Sequence, residues 1–182
     1  GLLAKAIKML YGKSVKRRSF DMTSLAPVVF SFAAKDQKTV AIVATKQEMV
    51  EKAVKTLQEN YPGLNISYFR NGYFSSDAEM NAEAQKIVGV HPDILIVGMG
   101  IIKQEEFLLK VRDAGFKGIG YTCGGFIHQT AQDKVDYYPE WVDKHGLRFV
   151  YRMYKEPHTR KRYAKAAFVF PVKFLWEKVT GK

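Results

Sequence analysis

Two short segments of this chain combine glycines with groups that could bind a phosphate or a sugar. Residues 98–100 read Gly-Met-Gly and are followed by Lys103, Gln104 and Glu105, and residues 123–125 read Cys-Gly-Gly. A glycine turn before a helix can present backbone N–H groups to a phosphate, and Lys103 adds positive charge. The same turn can be purely structural, because glycine relieves crowding in a tight turn. Both interpretations stay open at this point.

The first of these turns departs from the dinucleotide-binding fingerprint. That fingerprint has glycine at its first, third and sixth positions, whereas Lys103 occupies the sixth position here. A dinucleotide-binding protein is therefore disfavoured. Gln104 and the carboxylates beside it fall in the first turn of a predicted helix, where acidic residues favour the helix dipole. Helix capping is thus the alternative to a ligand contact.

The sequence contains no spacing typical of a metal site. Its histidines are His91, His128, His145 and His158, with no H-x-x-x-H or H-x-E pattern among them, and there is no D-x-D triplet. The single cysteine, Cys123, excludes an internal disulfide. We therefore expect chemistry without a bound metal or cofactor. His128 is either a ligand contact or a hydrogen-bonded structural histidine.

Strands alternate with helices through the middle of the chain. Short apolar runs predict strands over residues 39–44, 65–69, 93–97 and 118–122. Capping patterns at Thr45 and Ser76 predict the starts of two of the helices. Such alternation implies right-handed βαβ crossovers, so the expected fold class is α/β, a Rossmann-like, mainly parallel sheet flanked by helices. Ligands bind these sheets at the carboxyl ends of the strands, where Thr45 and both glycine turns fall.

Charge divides the chain into a mildly acidic middle and two basic ends. Of the total net charge of +11, residues 144–182 contribute 11 basic and 2 acidic residues, and residues 1–18 contribute 6 basic and no acidic ones. We expect a Rossmann-like catalytic domain over residues 1–140 and a basic helical C-terminal appendage over residues 141–182. Basic ends favour a polyanion: a diphosphate, an anionic membrane surface or nucleic acid. Aromatic residues between the tail lysines favour the membrane.

Several separated motifs together resemble the WecG/TagA/CpsF family of bacterial glycosyltransferases. They are residues 71–74, 92–100, 103–105 and 123–126, and the arginine-rich run over 147–163. Members of that family move a sugar from a UDP-sugar to a polyprenyl-diphosphate-linked acceptor, with inversion of the anomeric centre and no bound metal. The resemblance implies a UDP-sugar donor and a lipid-linked saccharide acceptor in surface polysaccharide or teichoic acid synthesis. It also implies work at the inner face of the bacterial plasma membrane.

The resemblance assigns roles to residues of this chain. Gln104 would line the active site. Asp21 is the candidate catalytic carboxylate within the chain, while the family's base aspartate would lie upstream of Gly1. The substrate-binding set is Thr45, Gly98, Gly100, Lys103, Glu105, Gly124, Gly125, Arg148 and Arg152. The set expected to contact membrane headgroups or diphosphates is Arg160, Lys161 and Arg162. No metal ligand is implied.

Departures from the family pattern bear on the donor sugar. Ile102 stands where the family usually has proline, Ala44 and Thr45 where it has a glycine pair, and the Gly-Gly-x-Phe-Asp pattern is replaced over residues 124–128 by a run ending in His128. The donor is then a hexose such as galactose or glucose, or an N-acetylhexosamine. We expect the chain to bind UDP but to transfer sugar slowly. A non-catalytic basic α/β module that binds nucleic acid is the alternative, and a homo-oligomer is left open.

Overall fold

The computed structural model describes residues 2–15, 18–132, 139, 141–142, 145, 147–155, 157 and 160–180. The chain divides into two compact units. Arg18–Tyr137 forms one, which we call the sheet unit, and Gly1–Arg17 together with Tyr138–Lys182 forms the other, which we call the basic unit. The functional assignment of each unit stays a prediction, and each is described by itself.

The sheet unit is built on four parallel strands. They are β1 (Thr39–Ala44), β2 (Asn65–Arg70), β3 (Ile94–Gly98) and β4 (Ile119–Thr122), in the order β2-β1-β3-β4. Every pairing is parallel; Val40 of β1, for example, aligns with Ile66 of β2 and with Ile94 of β3. The α/β fold class is therefore confirmed, and each predicted strand agrees with the structure to within one residue at either end.

Helices of the sheet unit cover both faces of this sheet. The described helices are α1 (Leu2–Tyr11), α2 (Leu25–Lys35), α3 (Gln47–Asn60), α4 (Asp77–Val90), α5 (Lys103–Asp113), α6 (Phe126–Thr130), α7 (Arg148–Lys155) and α8 (Arg160–Thr180). Successive strand residues point to opposite faces. Ile42 and Ile96 therefore pack with α2, α3 and α6 on one face, and Val43 and Val97 pack with α4 and α5 on the other. Burial on both faces explains why β1 and β3 are continuously apolar.

Two helix starts test the predicted capping patterns. Ser76 caps α4 as predicted, because its hydroxyl accepts a hydrogen bond from the Glu79 N–H at 3.1 Å. The prediction at Thr45 was wrong. Lys46 holds the N-cap position of α3 without a side-chain hydrogen bond, and Thr45 has a φ of 42° and turns its hydroxyl to His128. The sharp turn after β1 takes Thr45 out of the extended conformation that an N-cap requires.

The basic unit contains α1, α7 and α8. Helix α7 ends at Lys155, and α8 begins at Arg160. The Arg160 guanidinium Nε donates to the Met153 carbonyl at 2.9 Å and so joins the two helices. The aromatic tail belongs to α8, which continues through Pro171 to Thr180. None of the helices in the described part of the chain is long and apolar enough to cross a membrane.

Candidate functional site

The strand order marks one position where a ligand-binding crevice is expected. From β1 the chain moves outward to β2 and then returns to the other side of β1 to form β3. In open parallel sheets, ligands bind outside the carboxyl ends of the strands at such a switch point. Thr45 directly follows β1 and Gly98 ends β3, so two of the predicted site residues flank this position.

Thr45 contacts the loop after β2, the last residue of β3 and the helix that follows β4. Its N–H donates to the Gly98 carbonyl at 3.2 Å, and its carbonyl accepts from the Gly72 N–H at 2.9 Å. Its hydroxyl oxygen lies 3.1 Å from His128 Nδ1. The φ of 42° puts a β-branched residue in the left-handed region, which is strained. These contacts hold the strained turn in place, as is typical of functional sites.

Gly98 allows the two predicted glycine turns to approach each other. A Cβ at this position would lie 2.8 Å from Cys123 Sγ and 2.9 Å from the Gly124 carbonyl oxygen. Either distance is shorter than van der Waals contact permits, so a side chain here would displace the turn after β4. The N–H of Cys123 also donates to the Val97 carbonyl at 2.8 Å. Close packing thus explains this glycine and brings residues 98 and 124 together.

Gln104 links the same two turns through its side chain. Its Oε1 accepts from the Gly124 N–H at 3.1 Å, and its Nε2 donates to Glu105 Oε1 at 2.7 Å. Glu105 Oε2 in turn accepts from the Ile102 N–H at 2.6 Å. Gln104 is buried, so this network fixes the shape of both turns. A direct contact between Gln104 and a substrate stays a prediction.

The outer part of the loop after β3 is exposed and strained. Lys103 is exposed at the first residue of α5, and a Cβ at Gly100, where φ is 87°, would meet no atom within 4 Å. Ile102 has a φ of 77°, an outlier for a β-branched residue, and both Ile101 and Ile102 are exposed. The substitution of Ile102 for the family's proline was visible in the sequence, but this strain was not.

The thiol of Cys123 is not available as a nucleophile at neutral pH. Burial raises the pKa of Cys123 to about 12, so the thiolate is scarcely populated. The Cys123 side chain is instead packed beside Gly98.

Sequence reasoning missed the residues that hold the loop after β2. The Arg70 guanidinium pairs with Glu83 at 3.1 Å, donates to the Tyr73 carbonyl at 3.0 Å and stacks on the Phe74 ring at 4.3 Å. The Glu83 carboxylate also accepts from the Tyr68 hydroxyl. These contacts fix the segment that contains Gly72 and therefore support Thr45. The only signal in the sequence was the resemblance of residues 71–74 to a family motif.

The remaining predicted residues are placed with less detail. The Asp21 carboxylate accepts hydrogen bonds from Ser19 and Thr23 in the turn before α2, and Phe20 packs against Phe126 at the start of α6 with 5.7 Å between ring centroids. Gly125 directly precedes α6. Arg160 and Lys161 are exposed on α8. Three further predicted residues, Arg148, Arg152 and Arg162, have side chains outside the described part of the structure.

The structure therefore groups most of the predicted substrate-binding residues at one edge of the sheet, together with Gln104, the predicted active-site residue. The substrate-binding residues there are Thr45, Gly98, Gly100, Lys103, Glu105, Gly124 and Gly125. Within the described ranges, no three His, Cys, Asp or Glu side chains are close enough to hold a metal ion. An open parallel sheet with glycine turns and helix starts at its carboxyl edge is typical of proteins that bind nucleotides or sugar phosphates.

Comparison with known proteins assigns the chain within that class. The family model described as the glycosyl transferase WecG/TagA/CpsF family matches residues 2–182. The chain belongs to this family of glycosyltransferases, which confirms the resemblance found in the sequence.

Individual relatives extend this result. The chain is 34% identical over 176 residues to UDP-Gal:alpha-D-GlcNAc-diphosphoundecaprenol beta-1,4-galactosyltransferase of Shigella boydii, a match that covers 97% of this chain and 73% of that protein. It is 25% identical over 130 residues to N-acetylglucosaminyldiphosphoundecaprenol N-acetyl-beta-D-mannosaminyltransferase of Bacillus subtilis (strain 168), covering 71% of this chain and 49% of that protein. The protein of the same name from Bacillus spizizenii is 24% identical over 165 residues, covering 89% and 61%.

Proposed function

We propose that this protein transfers galactose from UDP-galactose to a saccharide carried on polyprenyl diphosphate, in the synthesis of a surface polysaccharide or teichoic acid. The observation that carries the proposal is the set of contacts that Thr45, directly after β1, makes with Gly72, Gly98 and His128, at the switch point of a chain that belongs to a glycosyltransferase family. Galactose is favoured over N-acetylmannosamine because identity to the named galactosyltransferase is 34%, against 25% to the mannosaminyltransferase of Bacillus subtilis.

The donor diphosphate would bind at the carboxyl edge of the sheet. The exposed Lys103 lies in the first turn of α5, and the N–H groups of that turn carry the positive end of the helix dipole. A diphosphate held there would be neutralised by fixed amides and a lysine without a divalent cation. The same groups would stabilise the charge that grows on the departing UDP.

Transfer from an α-linked UDP-sugar to a β-linked product requires inversion at the anomeric carbon. An acceptor hydroxyl attacks that carbon as the bond to the diphosphate oxygen breaks. The hydroxyl proton passes to a carboxylate, and the bonding electrons leave with UDP. Asp21 is our candidate base within this chain, because its turn packs through Phe20 against Phe126, the residue after Gly125.

The basic unit would bind an anionic membrane surface at the inner face of the plasma membrane. Phe168 and Trp176 of α8 are 76% and 69% exposed, and Lys161 and Lys173 of the same helix are exposed as well. Aromatic side chains that enter the headgroup region, together with lysines that pair with anionic lipids, are typical of interfacial helices. Such binding would bring the enzyme to its lipid-linked acceptor.

Sugar transfer can be tested directly with radiolabelled donors. UDP-galactose, UDP-glucose and UDP-N-acetylmannosamine would each be offered with N-acetylglucosaminyl diphosphate on a lipid, in buffer containing EDTA. We expect a β-linked disaccharide from UDP-galactose alone and no loss of rate on chelation. Transfer of a different sugar would contradict the donor assignment, and a rate restored only by a divalent cation would contradict the metal-independent mechanism.

Membrane binding has its own test with lipid vesicles. Sedimentation with phosphatidylglycerol vesicles should be strong and should weaken with salt, whereas phosphatidylcholine vesicles should bind little. Trp176→Ala should weaken binding about thirtyfold, because a buried aromatic side chain contributes about 2 kcal/mol. Trp141→Ala, which removes an exposed tryptophan outside α8, is the matched control. Equal losses in both variants would argue against α8 as the membrane contact.

A further inference from the structure

We propose that His128 is a positioning residue that fixes the Thr45 hydroxyl as a hydrogen-bond donor to the diphosphate of the donor nucleotide. This inference rests on the proposed function, because it concerns the same crevice. It assigns a role to His128 that neither the family pattern nor the names of the relatives provide. The observation that supports the proposal is a series of contacts from Gln132 to His128 and from His128 to Thr45.

The first step is the protonation of the imidazole ring. The Gln132 amide nitrogen lies 3.3 Å from His128 Nε2. With the amide oriented in this way, its nitrogen donates the hydrogen bond and Nε2 is the unprotonated, accepting nitrogen. In a neutral imidazole the proton then belongs to Nδ1. The orientation of the Gln132 amide therefore selects the Nδ1–H tautomer.

The second step is the direction of the hydrogen bond to Thr45. His128 Nδ1 lies 3.1 Å from Thr45 Oγ1, and a protonated Nδ1 donates to that oxygen. The hydroxyl hydrogen of Thr45 is then not used in this contact. It can point to a third group, and it can only donate. Phosphate oxygens at neutral pH accept hydrogen bonds and do not donate them, so a diphosphate matches a hydroxyl fixed in this way.

The position of Thr45 supports the same conclusion. Its backbone N–H and carbonyl are both bonded, to Gly98 and Gly72, so the hydroxyl is the polar group left to meet a ligand at the switch point. Thr45 has a φ of 42°, a conformation that glycine would adopt without strain. A side chain kept at a steric cost, in a crevice, is more consistent with a binding role than with a structural one.

The experiment is a double-mutant cycle on UDP affinity, read by calorimetry. Thr45→Val, His128→Ala and the double variant are compared with the wild-type chain, and thermal denaturation shows that each is folded. Thr45→Val and His128→Ala should each weaken UDP binding by about tenfold, as expected for one hydrogen bond to a charged group. The double variant should bind no more weakly than Thr45→Val, because His128 acts through Thr45. Losses that multiply in the double variant would overturn the proposal.

Conservative variants distinguish a hydrogen-bonding role of His128 from a purely structural one, because only the former depends on which variant keeps an N–H donor. His128→Asn keeps an N–H donor near the Nδ1 position and should retain UDP affinity within about threefold, and Thr45→Ser should do the same. His128→Asp accepts instead of donating and should weaken binding by more than His128→Ala. His91→Asn, the same change at the end of α4, is the control and should leave affinity unchanged. Loss of affinity in His128→Asn equal to that in His128→Ala would overturn the role of the N–H group.

The tautomer can be measured without any ligand. Nitrogen-15 NMR of the His128 ring should show protonated Nδ1 and unprotonated Nε2 at neutral pH, and Gln132→Ala should shift that balance. The Nε2–H tautomer in the wild-type chain would overturn the inference even if UDP binds. The reverse result is also distinguishable: a folded chain with the Nδ1–H tautomer and no affinity for UDP would contradict the proposed function, and with it the role of Thr45 as a donor to a diphosphate.

Discussion

The two edges of the sheet join the same strands in opposite ways. At the amino edge, Asp93 connects three strands: its carboxylate accepts from the Thr39 N–H at 2.8 Å, and its carbonyl accepts from the Ile119 N–H at 2.8 Å. At the carboxyl edge, Thr45 connects the strand loops, but with strained backbone at both Thr45 and Ile102. Hydrogen bonds of Asp93 join the strand ends at the amino edge, whereas the backbone is strained at Thr45 and Ile102 at the carboxyl edge. We infer that the first stabilises the fold and the second binds the ligand.

Positive φ angles distinguish the two edges only when their context is considered. His91 at the amino edge also has a positive φ, of 53°, but it caps the C-terminus of α4, where a left-handed residue is ordinary. Ile102 at the carboxyl edge has no such explanation. An open groove of about 490 Å³ also lies at the amino edge. Its carboxylate, Asp93, is already bonded to Lys38 and Thr39, so this groove offers a ligand no unpaired acidic group there.

The largest expected effect comes from adding one methyl group at each edge. Gly98→Ala would press on the Gly124 carbonyl, and Gly118→Ala on the Asp93 carbonyl. Both should destabilise the fold by about 1–3 kcal/mol, the usual cost of overpacking. Gly98→Ala alone should also weaken UDP binding by more than about tenfold, because it displaces the turn after β4. Thermal denaturation and calorimetry on the same samples separate the two effects, and equal losses of UDP affinity would remove the distinction between the edges.

The next largest effect is expected from the link between the glycine turns. Gln104→Ala leaves the Gly124 N–H without its acceptor and should cost about 1–3 kcal/mol of stability. UDP affinity should fall about tenfold, because the turn is no longer fixed. Gln58→Ala, at an exposed position on α3, is the control. Unchanged UDP affinity in Gln104→Ala would mean that the turn after β4 does not take part in binding.

At the amino edge we expect an effect on pH-dependent stability without an effect on binding. Hydrogen bonds from the N–H and hydroxyl of Thr39, and then the charge of Lys38, lower the pKa of Asp93. A carboxyl whose pKa is lowered by folding stabilises the protein above its unfolded pKa of about 3.9, and this contribution is lost as the pH falls through the folded pKa. Asp93→Asn should therefore lower the melting temperature at pH 7 and have less effect below about pH 4.

The control for that prediction is UDP affinity at pH 7, which Asp93→Asn should leave unchanged. A variant that melts normally at pH 7 would show that the Thr39 and Lys38 contacts do not hold the strand ends. A variant that melts early and also loses UDP affinity would show that the two edges are energetically coupled.

The smallest effect is expected from relieving strain at Ile102. Ile102→Gly removes a β-branched side chain from a φ of 77° and should raise stability by up to about 1 kcal/mol. Sugar transfer should fall, because the loop before α5 loses its fixed shape. Initial rates and melting temperatures of the variant test this pair of changes. A less stable variant with unchanged transfer would show that the strain has no functional role.

The sequence contained enough information for the sheet but not for the contacts at its edge. Apolar β-branched runs located β1 and β3, because burial on two faces restricts residue type so strongly. The edge strands β2 and β4 are only partly buried and were located from shorter apolar stretches. The segment 25–35 was not predicted as a helix, although its buried residues Ala26, Val29, Phe30 and Ala33 follow helical spacing. Family membership followed from separated motifs in the correct order.

The sequence identified which residues belong to the site but not which of them are in contact. The glycines at 98 and 124 were identified from their turns, although only the structure reveals that a side chain at 98 would meet the 124 carbonyl. Thr45 looked like a helix cap because its local pattern fits one. Its actual partner, His128, is distant in sequence, and no local rule connects two such positions. The ion pair between Arg70 and Glu83, which fixes the loop after β2, was missed for the same reason.

The central claim is that the donor nucleotide binds at the carboxyl edge of the sheet, and a UDP titration followed by proton–nitrogen NMR tests it most directly. The experiment uses the wild-type chain in buffer with EDTA and compares amide signals at the two edges. We predict saturable shifts at Thr45, Gly98 and Gly124, with the signals of Asp93 and Gly118 unmoved. Shifts confined to the amino edge, or no shifts in a folded chain, would contradict the account.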